Sequence, residues 1–233
     1  MKTRKLGKTD LDLTTVGLGT WALGGPWQFG WGPQDDDAAR KAIAEALEQG
    51  INWIDTAPAY GCGHSEELIG QVLEGETSKP IMATKCGLLC DEKLRKVNCL
   101  EKDSIIRECH DSLERLGIDV IDLYQLHWPQ PDKQLDEAWE AMAHCVEEGL
   151  VRYLGASNFR IDQLQRVQKI YPVSSLQPPY SMLHRDIEEE LLGFCEEHSI
   201  GVVVYSPMQR GLLTGKFSHE HLAQLPDDDH RKK

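Results

Sequence analysis

Ile51-Asn52-Trp53-Ile54-Asp55-Thr56-Ala57-Pro58-Ala59-Tyr60-Gly61 is the stretch on which the fold turns. An apolar run stops on an acid, Pro58 forbids its continuation, and a tyrosine follows five residues after the acid. A buried strand that ends on Asp55 and turns onto Tyr60 puts a carboxylate and a phenol at one edge of a sheet. In a (β/α)8 barrel the C-terminal strand ends carry the chemistry. What else ends a strand at that edge is therefore the informative question.

Upstream, Asp35-Asp36-Asp37 suits a helix N-terminus. Ala39, Ile43, Ala46 and Leu47 fall at helical spacing, and Gly50 stops the helix. Earlier still, Lys2 to Leu6 and Asp12 to Val16 read as a β-hairpin joined through Gly7-Lys8-Thr9-Asp10, and Val16 to Thr20 as a first core strand. Gly17 and Gly19 allow close approach to its backbone. Trp27, Phe29 and Trp31 sit on a loop from Gly24 to Pro33, either as a pocket wall or as packing of the loop onto its own domain.

Downstream, Ser65 to Leu73 reads as a helix and Pro80 to Lys85 as a strand. Asp103 or Ser104 is expected to cap a helix with Ile105, Cys109, Leu113 and Leu116 inward. The same reading gives a strand from Val120 to His127, an amphipathic helix from Leu135 to Val146 and a strand from Val151 to Ser157. Ile161, Leu164 and Val167 mark a helix, Val173 to Gln177 a strand, Leu191 and Cys195 another helix, and Ile200 to Tyr205 a last strand. This alternation means parallel strands with helical crossovers. A doubly wound sheet would carry a G-x-G-x-x-G turn after an early strand; here Gly17-Leu18-Gly19 runs into Thr20-Trp21-Ala22. Residues 1–233 are read as a single (β/α)8 TIM-barrel domain with an N-terminal β-hairpin.

The net charge of −13 repels phosphate backbones and anionic lipid, which argues against nucleic acid or a membrane surface as partner. The basic N-terminus has no apolar stretch behind it, so it does not read as a signal peptide. The run from Ile200 to Tyr205 is too short to span a bilayer. Seven cysteines, an odd number, point to reduced thiols and a cytoplasmic setting. The spacing of Cys86, Cys90, Cys99 and Cys109 does not fit a zinc site, so no metal is expected; Cys62 and His64 read as loop filler.

The strand ends are Thr20-Trp21, Asp55, Lys85, His127, Ser157-Asn158, Gln177 and Tyr205-Ser206. A run of polar and aromatic endings at one end of a parallel barrel is a pocket. Within it Asp55, Tyr60, Lys85 and His127 form a connected acid–base set. The ordinary phenol pKa of about 10 makes tyrosine a poor acid at neutral pH. A neighbouring Lys85 ammonium would lower it, Asp55 would neutralise that ammonium, and His127 would orient a substrate oxygen. This is an arrangement for delivering a proton to a developing alkoxide.

These residues resemble the aldo-keto reductase superfamily over the span from Arg4 to about Lys216. The resemblance rests on Ile54-Asp55-Thr56-Ala57 with Tyr60-Gly61-x-Gly63-x-Ser65-Glu66, Lys85 closing a strand, and Leu126-His127-x-Pro129. It extends through Gly155-Ala156-Ser157-Asn158-Phe159, Gln177, Tyr205-Ser206-Pro207-Met208 and Gly211-Leu212-Leu213-Thr214-Gly215-Lys216. The last run is similar to the bacterial-type and potassium-channel β-subunit branches. The resemblance implies a catalytic tetrad of Asp55, Tyr60, Lys85 and His127, with NADP(H) as cofactor. Ser157, Asn158 and Gln177 would hold the nicotinamide carboxamide, and Tyr205 would stack on its ring. Ser206, Pro207, Met208, Gly211 and Leu212 would lie along the pyrophosphate, and Gly19, Thr20, Trp21 and Asp55 would complete the cofactor contacts. Trp21, Trp27, Phe29, Trp31 and Trp128 are the expected substrate-pocket walls, and a small carbonyl or alcohol the expected partner.

The departure from the family lies at the C-terminus. Seven core strands are legible, and the family's eighth strand, its helix and the basic clamp on the 2′-phosphate are not. Asp227-Asp228-Asp229-His230-Arg231-Lys232-Lys233 reads as a charged tail, and the expectation is a piece of a longer barrel. Two functions follow from the resemblance. One is hydride transfer between NADP(H) and an aldehyde or ketone, with Tyr60 as general acid. The other is a nucleotide-binding regulatory or sensor protein on the same fold.

Overall fold

Residues 1–77, 79–225, 227 and 229–232 are described by a computed structural model. The chain enters through an antiparallel hairpin, β1 (Thr3–Lys5) and β2 (Asp12–Thr14). It then lays down β3 (Leu18–Gly19), α1 (Asp36–Glu48), β4 (Trp53–Asp55), α2 (His64–Leu73) and β5 (Ile81–Cys86). A second hairpin, β6 (Leu88–Cys90) and β7 (Lys96–Asn98), precedes α3 (Lys102–Leu116). The rhythm resumes with β8 (Ile121–Leu126), α4 (Leu135–Glu147), β9 (Val151–Ser157), α5 (Ile161–Val167), β10 (Ser175–Gln177), α6 (Leu191–His198), β11 (Gly201–Val202) and α7 (His219–Gln224). The main sheet is parallel, in the order β11-β10-β9-β8-β5-β4-β3. It is the curled sheet of a (β/α)8 TIM barrel, with β3 and β11 at its two ends.

Period-two alternation assigns each strand residue to the helix side or the inside of the curl. On β8, Tyr124 and Leu126 join the main core with Trp139, Leu154 and Leu176, under the helices. Leu123 faces inward with Ala83 and Val203, and Gln125 and His127 share its side of the strand. On β5, Met82 packs against α1 and α2, while Ala83 and Lys85 point inside. The hairpin residues Leu6, Leu11 and Leu13 close the lower end of the curl against Ala83, Leu123 and Val203. Asn52 ties this plug to the sheet, accepting from the Thr14 amide at 2.8 Å and donating to the Asp12 carbonyl at 2.7 Å. Above the plug the inward residues turn polar, and there the site is built.

Several boundaries differ from the sequence reading. The first core strand is only Leu18–Gly19, and the last shrinks to Gly201–Val202 with a lone bridge from Tyr205 to Pro179. Both are sheet ends with a partner on one side only, so fewer of their residues are held by strand hydrogen bonds. Asp35 does cap α1, accepting from the Asp37 and Ala38 amides at 2.9 and 3.1 Å. Neither Asp103 nor Ser104 caps α3. Glu101 holds that position, and the Ser104 hydroxyl, inside the first turn, donates to Glu108 at 3.1 Å. The C-terminal stretch is not a free charged tail. After α7, Arg231 pairs with buried Asp229 at 2.6 Å and stacks 4.0 Å above the Trp31 ring. Asp228 and Lys233 of that stretch lie outside the described residues. No helix of the described residues is long and apolar enough to cross a membrane.

The cysteines also depart from expectation. Cys62 and Cys90 form a disulfide, with Cα atoms 5.7 Å apart, while Cys86, Cys99, Cys109, Cys145 and Cys195 are free. The bridge arises because β6–β7, which the sequence reading does not include, folds back over the turn that follows Tyr60. Thiol titration in denaturant should therefore find five reactive groups before reduction and seven after; seven without reductant would remove the bridge.

Glu108 is a second buried group that the sequence does not single out. It accepts from the Gly87 amide at 2.9 Å, at the start of the β6–β7 hairpin. Burial pushes its carboxyl up to about 7, against the pull of Gly87, Ser104 and Arg107 and with Glu66 adding to the rise. The native state thus keeps a proton that the unfolded chain releases near pH 4.3. This contribution is complete below that pH and is lost as pH rises through about 7. Glu108→Gln should flatten that part of the profile by on the order of 2–3 kcal/mol. The check is the difference in melting temperature between wild type and variant from pH 5 to pH 8.

Candidate active site

Asp55, the last residue of β4, and Lys85, on β5, are inward neighbours at the top of adjacent parallel strands. Lys85 is fully buried. Its ammonium donates to Asp55 Oδ2 at 2.7 Å, to the Thr56 carbonyl at 2.9 Å and to the Tyr60 hydroxyl at 3.2 Å. Three partners of this kind fill the donor capacity of an ammonium. The other Asp55 oxygen accepts from Gln125 Nε2 at 2.9 Å and Gln177 Nε2 at 3.0 Å. Four strands therefore converge on one carboxylate. Gly155 permits this, because a Cβ there would press on Gln125 and Ser175.

Tyr60 reaches Lys85 from the turn before α2. Its ring meets His127 edge-on at 5.8 Å and lies 6.0 Å from Trp27. Ser65 and Glu66 hold this turn from behind. The Ser65 hydroxyl bonds Thr20 Oγ1 at 2.8 Å and Thr56 Oγ1 at 3.2 Å. Glu66 pairs with Arg115 at 2.7 Å and accepts from Thr84 at 2.6 Å. These two motif residues brace the site without facing it.

His127 follows β8. Its carbonyl accepts from Asn158 Nδ2 at 3.0 Å, and Asn158 Oδ1 accepts from the Tyr205 hydroxyl at 2.8 Å. Its Nδ1 is buried with no hydrogen-bond partner among the described residues. Burial, with Lys85 and then Lys96 nearby, pushes the imidazole well below its usual range, so it is neutral. Lys85 is held above its usual range. Burial alone would lower it, but Asp55 and Tyr60 more than offset that. Tyr60 corrects the sequence reading. Lys85 does pull the phenol down, yet burial pushes it up by more, and the net direction is upward. The phenol therefore keeps its proton.

A cleft of about 1290 Å³ runs from above this network down to the hairpin residues Arg4 to Leu6. It is lined by Asp55, Tyr60 and His127, with Lys85 buried beneath them. Gly19, Thr20, Trp21, Ser157, Asn158, Gln177, Tyr205, Ser206, Pro207, Met208 and Gly211 also line it, as do Trp27, Phe29, Trp31 and Trp128. Leu212 is not brought to the cleft and stays half exposed. The aromatic loop is thus a cleft wall, with Trp21 edge-on to Trp31 and Trp27 edge-on to Phe29. Sequence reasoning missed Gln125, Leu88, Lys96 and Arg210. Gln125 is a polar residue on an inward position of a buried strand, which is the signal that would have found it.

The cleft suits a nicotinamide dinucleotide. Gly19 leaves open space where a side chain would stand, and His127 Nδ1, Trp27 Nε1 and Trp31 Nε1 are buried polar atoms without partners among the described residues. Ser157, Asn158 and Gln177 bond to one another, Ser157 Oγ donating to the Gln177 carbonyl at 3.0 Å and Asn158 Nδ2 donating to Ser157 Oγ at 3.0 Å. They form a polar cluster on the wall of the cleft.

Comparison with known proteins agrees. The model of the "Aldo/keto reductase family" matches residues 15–233. The aldo-keto reductase YhdN of Bacillus subtilis is 38% identical over 231 residues, covering 97% of this chain and 68% of YhdN. The NADH-specific methylglyoxal reductase of Escherichia coli is 38% identical over 237 residues, covering 95% of this chain and 72% of that protein. Among solved structures, the glycerol dehydrogenase AKR11B4 of Gluconobacter oxydans superposes with a TM-score of 0.89 at 38% identity, over 100% of this chain and 71% of that one.

Proposed function

The chain belongs to the aldo/keto reductase family, and from that premise we propose that it reduces an aldehyde or ketone with NADP(H), Tyr60 acting as general acid. The observation that carries this reading is the Asp55–Lys85–Tyr60 chain of contacts, 2.7 and 3.2 Å long, beneath an apolar cleft. A bound reduced nicotinamide supplies the hydride. Tyr60 keeps its proton in the resting site and releases it to the carbonyl oxygen as negative charge develops there. Lys85 stabilises the phenolate so formed, and Asp55 keeps Lys85 charged and in place. Neutral His127, whose ring lines the cleft beside Tyr60, hydrogen-bonds the same oxygen and sets its angle.

Ser157, Asn158 and Gln177 would exchange their mutual bonds for the carboxamide, with Tyr205 behind the ring. Ser206 to Gly211 and Gly19 to Trp21 would take the rest of the dinucleotide. The whole of residues 1–233 would serve as one domain. A cytoplasmic setting belongs to this reading, supported by the five free thiols; the Cys62–Cys90 bridge is the observation that sits against it.

The test is reduced-dinucleotide oxidation followed at 340 nm with a panel of small aldehydes and ketones. Turnover that requires a carbonyl is expected. NADPH and NADH are run side by side, because the Escherichia coli relative is NADH-specific by name. Tight NADPH binding with no turnover on any carbonyl would favour the sensor reading instead.

A further inference from the structure

The chain carries a net charge of −13, yet among the described residues its cleft is lined by Arg4, Lys5, Lys96 and Arg210 against a single carboxylate, Asp55. That carboxylate is already paired with Lys85. An acidic protein with a basic cleft concentrates anions there. The four cations occupy different places. Arg4 belongs to the hairpin β1–β2 at the closed end, and Lys5 with it. Arg210 lies 5.8 Å from the Trp21 ring centroid, on the loop assigned to the dinucleotide. Lys96 stands apart, on β7, with its ammonium 5.5 Å from the Phe29 ring centroid and 5.8 Å from that of Trp128.

Three ties fix Lys96. Its amide donates to Gln28 Oε1 at 2.8 Å, and the Gln28 amide donates to the Leu94 carbonyl at 3.1 Å, so the hairpin is bound to the aromatic loop. Its cross-strand partner is Cys90, which is bridged to Cys62, two residues beyond Tyr60. The aromatic faces attract the ammonium and limit its freedom. Lys96 makes no ion pair among the described residues. It is thus a positioned charge, close enough to His127 to depress the imidazole further.

We propose that Lys96, between Phe29 and Trp128, is a subsite for a carboxylate on the substrate, so that the protein prefers carbonyl compounds bearing a carboxylate at their far end over neutral ones. This inference rests on the reductase reading of the same cleft. A carboxylate fits better than a phosphate, because one ammonium neutralises a monoanion. A dianion would call for an Arg fork or several convergent amides. Preorganisation by the two rings lowers the ordering cost that weakens most exposed lysine contacts.

The test compares 4-carboxybenzaldehyde with 4-methylbenzaldehyde, which share ring, size and reacting group. Wild type should show the higher kcat/KM for the carboxylate, carried by KM, and the preference should shrink as salt is added. Lys96→Met should lower the carboxylate-to-methyl ratio by roughly five- to tenfold, Lys96→Glu should invert it, and Lys96→Arg should retain most of it. A ratio below one in wild type, or one unchanged in a Lys96→Met protein that melts like wild type, overturns the subsite. A separate arm does not need turnover. Benzoate and benzamide are titrated against tryptophan fluorescence in wild type and Lys96→Met. Benzoate binding should weaken in the variant and benzamide binding should not; equal benzoate binding overturns the proposal. If wild type reduces no carbonyl, the reductase reading fails, and the benzoate titration still decides the subsite.

Discussion

Replacing Tyr60 by phenylalanine is expected to lower kcat for carbonyl reduction by about 10²- to 10⁴-fold, the range for loss of a positioned general acid, and to leave dinucleotide affinity within about twofold. The local structure should survive the change. The Tyr60 hydroxyl is held by Lys85 at 3.2 Å, and Lys85 keeps Asp55 and the Thr56 carbonyl when that contact goes. No buried charge is orphaned, and the ring keeps its contacts with Trp27 and His127. The effect should fall on kcat, because the hydroxyl acts only as charge develops on the substrate oxygen. His127 is a poor substitute, since burial and the neighbouring lysines keep the imidazole neutral, with an N–H to hydrogen-bond but no imidazolium proton to transfer. Steady-state kinetics beside a melting curve decides the matter: retained kcat in a folded variant would rule out Tyr60 as the donor.

The residues behind that expectation were legible in the sequence to very different degrees, for physical reasons. Asp55, Lys85 and His127 could be read because a strand alternates strictly. Once Ile54, Cys86 and Leu126 are assigned to the helix side, their polar neighbours Asp55, Lys85 and His127 must face the interior. Gln125 obeys the same rule but sits one step below the mouth, where a polar residue looks like part of a strand. The direction of the Tyr60 shift was not legible. Sequence names the nearby lysine but not the depth of burial, and burial is the larger effect. The β6–β7 hairpin was missed because its turn is polar and short. Asp91 Oδ1 accepts from the Lys93 and Arg95 amides at 2.8 and 2.9 Å, an Asx-type turn that the run Asp91 to Arg95 does signal. Lys96 was missed with it. The Cys62–Cys90 bridge joins residues 28 apart in sequence, and only the fold-back of that hairpin brings them together.

Lys85→Met is the other large effect, an expected loss of at least about 10²-fold in kcat/KM, comparable to removing a preorganised charge from a transition state. Three consequences separate a catalytic from a structural ammonium. First, the phenol should rise further, because Lys85 is the strongest influence pulling it down. In the oxidative direction, where the phenolate must accept a proton, the pH–rate profile should then move to higher pH. Second, this shift is not a stability artefact. The folded pKa of Lys85 is raised, so its contribution to stability is complete below the unfolded value near 10.4 and is lost only above that. Between pH 6 and pH 9 the ion pair contributes a constant amount. Third, methionine leaves Asp55 Oδ2 without its ammonium, although Gln125 and Gln177 still donate to Oδ1. Breaking a buried pair from one side costs about 3–5 kcal/mol, so the variant is compared with Asp55→Asn/Lys85→Met, which removes both charges. The double variant should recover most of the melting temperature and none of the activity. A folded variant with good activity and an unshifted profile would leave Lys85 as a support for Asp55 alone.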